Sequence, residues 1–134
     1  MAKAIAYYEA ALRVRTEQDF PAAWAMTQNN LGNVYANLPT DDRAANIAKA
    51  IPCYEAALRV HTEQDFPVEW AQTQNNLAIA YHNLPTGDRA RIVSKAIACL
   101  EAAARGYLTA GLTEHAEEAR QRAAELRAEL SSPE

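Results

Sequence analysis

The chain has 134 residues, a length that holds one domain and excludes a second large catalytic one. Hydrophobic residues make up 49% but aromatics only 7%, and four Gly with six Pro are too few for the turns of a sandwich or barrel, so the composition points to an all-α fold. Seventeen acidic against thirteen basic residues leave a net charge of −4, without the basic patch that nucleic acid requires.

Apolar spacing predicts six helices, at about 2–18, 21–38, 42–64, 67–84, 88–108 and 112–131. In the second, Trp24, Leu31, Tyr35 and Leu38 share a stripe, and Asn37-Leu38-Pro39-Thr40 is a stop because the residue before proline leaves helical geometry. The third places Ile47, Ile51, Tyr54 and Leu58 on one stripe behind Asp42 as N-cap; Pro52 within it predicts a kink or a late start. The fourth and fifth repeat these patterns. The sixth sets Leu112, Ala116, Ala119, Ala123, Leu126 and Leu130 on one face, with Glu117, Glu118, Arg120, Arg127 and Glu129 elsewhere, as a polar-backed cap would. No apolar run reaches the length of about eighteen residues that spans a membrane, and Glu9 comes too early for a signal peptide; a cytoplasmic protein without a membrane partner is expected.

The fourth and fifth helices repeat because the sequence does. Residues 4–49 align without a gap on residues 50–95, with 31 of 46 positions identical, including Thr16-Glu17-Gln18-Asp19-Phe20-Pro21 against Thr62-Glu63-Gln64-Asp65-Phe66-Pro67. A third copy starts at Ala96-Ile97-Ala98-Cys99 and loses identity near residue 105. Two antiparallel helices per period, neither able to bury its stripe alone, predict an α-solenoid of stacked layers. Its segments are 1–20, the second helix of an incomplete repeat; 21–66 and 67–111, two repeats; and 112–134, the cap. The chain is therefore expected to begin inside an array, as a piece of a longer protein, or to have its open N-terminal end covered by another chain.

Gln28-x2-Leu31-Gly32-x2-Tyr35 followed by Ala50-x3-Tyr54 and Ala57, and Gln74-x2-Leu77-Ala78-x2-Tyr81 followed by Ala96-x3-Leu100, resemble the tetratricopeptide repeat. Gln stands in place of the first aromatic of that pattern, Trp24 and Trp70 sit one turn upstream, and the 46-residue period exceeds the usual length of about 34 residues. The segment Ala56-Ala57-Leu58-Arg59-Val60-His61-Thr62-Glu63 with Phe66-Pro67 and Gln74-Asn75-Asn76-Leu77-Ala78 is similar to the long-period repeats of kinesin light chain, and to arrays that accompany caspase-like and nucleotide-binding signalling domains in bacteria. The resemblance implies a right-handed solenoid and a scaffold that binds a protein or peptide, with no chemistry of its own.

It also implies that the first helix of each pair lines the concave groove. Asn29, Asn33 and Asn37 form one stripe at four-residue spacing; Asn75 and Asn83 repeat it with Ile79 at its centre, and Gln72 and His82 adjoin it. An amide offers two donors and two acceptors, so such a ladder can pair with the main chain of an extended peptide. Other roles stand beside this one: Asn37 and Asn83 as helix caps, Asn30 and Asn76 as bonds within the stack, Gln28 and Gln74 as internally satisfied amides, Trp24 and Trp70 as core. Neither His61, His82 nor His115 recurs with a partner acid or nucleophile, and no phosphate loop, HExxH or GxSxG is present; no enzyme activity, cofactor or metal is expected. Cys53 and Cys99, one repeat apart and outside any CxxC, read as reduced core thiols too distant for a disulfide. A structural alternative is end-to-end stacking of the repeats, within a longer array or between copies as a homo-oligomer.

Overall fold

The computed structural model describes residues 2–39, 42–85 and 87–131; Met1, Thr40, Asp41, Thr86 and residues 132–134, which the segments read from the sequence take in, lie outside the described residues. Among the described residues all regular structure is helical: α1 (Ala2–Val14), α2 (Pro21–Ala36), α3 (Arg43–Val60), α4 (Pro67–Asn83), α5 (Arg89–Thr109) and α6 (Thr113–Ser131). None of these helices is long and apolar enough to cross a membrane.

Local chemistry sets the ends. α2 and α4 start at Pro21 and Pro67, which have no N–H to leave unpaired and whose fixed φ suits a first helical position. In the turns before them the Thr16 and Thr62 hydroxyls accept the N–H of Asp19 and Asp65, each at 3.3 Å. Those side-chain bonds offer the backbone an alternative to the helix, so α1 and α3 stop at Val14 and Val60, four residues before the expected ends. α3 and α5 start behind Asp42 and Asp88, whose carboxylates accept the N–H of Ala45 and Arg91. The late start expected from Pro52 does not occur: α3 begins at Arg43, and Pro52 lies inside it on the exposed side. α5 closes with a Schellman motif, in which Gly111 (φ +81°) donates to Leu108 and Leu112 donates to Tyr107.

That closure reveals a regularity that residue identity hides. α2, α4 and α6 begin 46 residues apart, at Pro21, Pro67 and Thr113, although the repeat is unreadable after residue 105. α5 runs three residues longer than α3, to 21 residues, and a shorter turn replaces the Thr-Glu-Gln-Asp-Phe link, so the spacing survives while the sequence changes.

Each helix packs on the next in chain order, and α2 also meets α4. Trp24, Ala25, Ala56 and Ala57 are buried between α2 and α3 with Leu12 of α1 against them; Ile47, Ala50, Tyr54, Leu77 and Ala80 join α3 to α4; the largest cluster, including Val93, Leu100, Tyr107, Ala119 and Leu126, joins α4, α5 and α6. Of the face expected on α6, Ala116, Ala119, Ala123 and Leu126 are buried, whereas Leu130 is exposed. Small residues let the helices approach: a Cβ on Gly32 would lie 2.7 Å from Cε1 of Tyr54. At the equivalent positions of the second copy stand Ala78 and Leu100, a larger residue facing a smaller one.

The polar contacts repeat as well. The Tyr35 hydroxyl donates to Glu9 and the Tyr81 hydroxyl to Glu55; Arg59 lies over Trp24 and pairs with Glu17, as Arg105 lies over Trp70 and pairs with Glu63. These pairs sit on the surface, where each contributes about 0–1 kcal/mol, so their value is to fix register more than to add stability.

Candidate functional site

The ends of α2 and α4, the start of α3 and the middle of α6 frame two adjoining cavities. One, of about 150 Å3, is lined by Asn33, Asn37, Arg43, Asn76, Ile79 and Asn83 among others. The other, of about 350 Å3, lies between α4, α5 and α6 and is lined by Ala78, Ile79, His82, Leu100, Arg122, Glu125 and Leu126. Ile79 lines both and is 41% exposed, so it forms an apolar step between a carboxamide-lined half and a half with an apolar floor and a charged rim.

The expected residues thus separate into three groups. Asn33, Asn37, Ile79, His82 and Asn83 come together on this face. Asn33 accepts the Tyr54 hydroxyl at 2.6 Å, and Asn37 donates from its amide to the Asn33 carbonyl at 2.8 Å. The second contact makes Asn37 a helix cap; it caps through its side chain at φ −107°, not through left-handed backbone. Asn29 turns away, toward α4, where its oxygen accepts the Thr73 hydroxyl at 3.1 Å and the Asn76 amide at 3.4 Å. Gln72 is exposed and lines neither cavity, and Asn75 lies in a third cleft of about 80 Å3 with Tyr107, His115, Glu118, Ala119 and Arg122, the last of which it shares with the larger cavity. Asn75 occupies the position of Asn29, but α6 presents Ala119 and Arg122 where α4 presents Thr73 and Asn76, so the two bonds at Asn29 are not repeated at Asn75.

The rim is held by charge. Arg43 and Arg89 donate to the carbonyls of Ala36 and His82, at 3.0 and 2.8 Å, and so satisfy the C-terminal ends of α2 and α4. Arg89 also donates to Glu129, whose other oxygen lies 3.3 Å from Nε2 of His82. The acid beside His82 was invisible in the sequence because 47 residues separate the two. Of these three side chains only His82 lines the larger of the two cavities. Among the described residues no three of His, Cys, Asp and Glu gather as a metal would require.

Cys53 and Cys99 are half-buried free thiols outside both cavities. Burial, with Glu9 near the first and Glu55 near the second, pushes each up to about 11, which keeps them protonated and unreactive near neutral pH. Tyr54, Arg43, Arg122 and Glu125 belong to the site and were not foreseen. Arg122 and Glu125 were within reach: they stand 46 residues after Asn76 and Ile79, so carrying the period past its last identity finds them. Neither the family models, the curated proteins nor the solved structures contain a match to this chain.

Proposed function

We propose that the chain is a tetratricopeptide-like solenoid segment whose helix pairs stack as successive layers, and that it is a non-catalytic scaffold binding an extended peptide or a partner helix along the face that Ile79 divides. The observation that carries this reading is the joining of a carboxamide-lined cavity to an apolar one through a single exposed isoleucine. An apolar side chain of the ligand fills the space over Ala78, Leu100 and Leu126, and the Asn83 amide reaches the adjoining main chain. His82, Arg122 and Glu125 around the rim select the flanking residues.

Selection from a random peptide display library tests this. Bound peptides are expected to share an apolar anchor and to lose about tenfold or more in affinity against Ile79→Glu, the size of one misplaced anchor, with a smaller loss against Asn83→Ala. Both positions are exposed, so the melting temperature should hardly change. Failure to select any peptide, or binding indifferent to Ile79→Glu, overturns the groove.

A further inference from the structure

The outer face of α1 and α2 carries the same residues as an inner face of the molecule, without the helix that covers it there. Tyr8, Ala11, Thr27 and Asn30 stand 46 residues before Tyr54, Ala57, Thr73 and Asn76. In the interior copy, Tyr54, Ala57 and Thr73 are at most 2% exposed, and all three polar groups bond to one helix: Tyr54 to Asn33, Thr73 and Asn76 to Asn29. At the outer face the Thr27 hydroxyl turns back onto the Ala23 carbonyl of its own helix, at 2.9 Å. All four of these outer residues line an open cavity of about 460 Å3 between α1 and α2, beside Tyr7, Val14 and Met26, with Tyr7 and Val14 70% and 76% exposed.

We propose that this face docks a helix of a partner protein that carries two carboxamides four residues apart with a glycine just before the second, the pattern of Asn29, Gly32 and Asn33. The first carboxamide accepts from Thr27 and Asn30 and the second from Tyr8. The glycine is required because the interior tyrosine ring leaves no room for a Cβ, and Tyr8 repeats that ring. A second copy of the chain does not offer this helix. Its own α2 is already packed, and by the 46-residue period α6 carries Gln121, Ala124 and Glu125 at the three positions, so Ala124 adds the Cβ that Gly32 lacks. This docking is independent of the Ile79 groove.

A helix-constrained peptide of residues 20–38 is the probe, titrated into the isotopically labelled full chain. Amide shifts are expected at Tyr7, Tyr8, Val14, Met26 and Asn30, with α5 and α6 unmoved. Thr27→Val in the chain should weaken binding by about tenfold, as loss of one buried hydrogen bond does. The peptide carrying Gly32→Leu should not bind at this face, and circular dichroism of the Thr27→Val chain verifies that it stays folded. Shifts confined to the Ile79 face, no shifts at all, or equal binding by the Gly32→Leu peptide would each overturn the proposal. So would self-association that changes the same α1 amides as the chain alone is concentrated.

Discussion

Gly32 and His61 show how much a single side chain is constrained by what lies across from it. Gly32→Ala forces the Tyr54 ring or a helix to move, and such overpacking costs about 1–3 kcal/mol. The second copy accommodates the larger residue with Leu100, so adding Tyr54→Leu to Gly32→Ala is expected to recover part of the loss in a double-mutant cycle; losses that simply add would refute this pairing. His61 takes the place of the exposed Arg15, yet it is only 4% exposed, its ring centre lies 5.0 Å from that of Phe66 in a tilted contact, and among the described residues its Nδ1 has no partner. Burial lowers its pKa below the ordinary 6.5, against a smaller raising effect from Glu69. The unfolded chain therefore takes up the proton first, and stability falls as the pH drops through 6.5 toward the lower folded value. Thermal melts between about pH 7 and pH 5 should show the decline, and His61→Leu should flatten it. Position by position the two copies differ here, with Ala78 opposite Gly32 and Arg15 opposite His61. The burial of Gly32 and His61 depended on Tyr54, 22 residues away and brought to Gly32 by helix packing, and on Phe66, folded against His61 by the turn between α3 and α4.

Helices with nearly the same sequence do different work here because of the helix each one meets. Asn29 joins α2 to α4, so Asn29→Ala strands the Thr73 hydroxyl, 1% exposed, and is expected to cost about 1–3 kcal/mol. Asn75→Ala, one period later, should change the melting temperature little, because α6 offers Ala119 and Arg122 in that place. Equal losses at the two positions would show that Asn75 is bonded like Asn29. The existence, order and start of the helices were legible from periodicity, proline and aspartate. Their last turns were less so: the Thr-Glu-Gln-Asp turn stops α1 and α3 through a side-chain bond that apolar spacing does not register. The asparagine stripe at four-residue spacing was legible only in part for a related reason. Four-residue spacing drifts around a helix, so Asn29 faces α4 while Asn33 and Asn37 line the cavity.

Across the whole molecule the packing is sequential and uneven. The cluster joining α4, α5 and α6 is the largest, and α1 adds only the half-buried Leu12 to the cluster between α2 and α3, with no fully buried residue of its own among the described ones. Where helices pack in chain order, local opening follows the local core, so amide exchange should be fastest in α1 and slowest in α4 and α5. Protection of α1 equal to that of α4 would contradict this gradient. By itself the sequence determined an all-helical chain of six segments with a 46-residue period, since periodicity, caps and turn residues are local properties. Only the tertiary structure decided which of two equivalent asparagines is bonded, which acid stands beside His82, and that Ile79 bridges two cavities. Those outcomes depend on side chains about one period away in sequence, brought together by helix packing, and no local pattern carries that information.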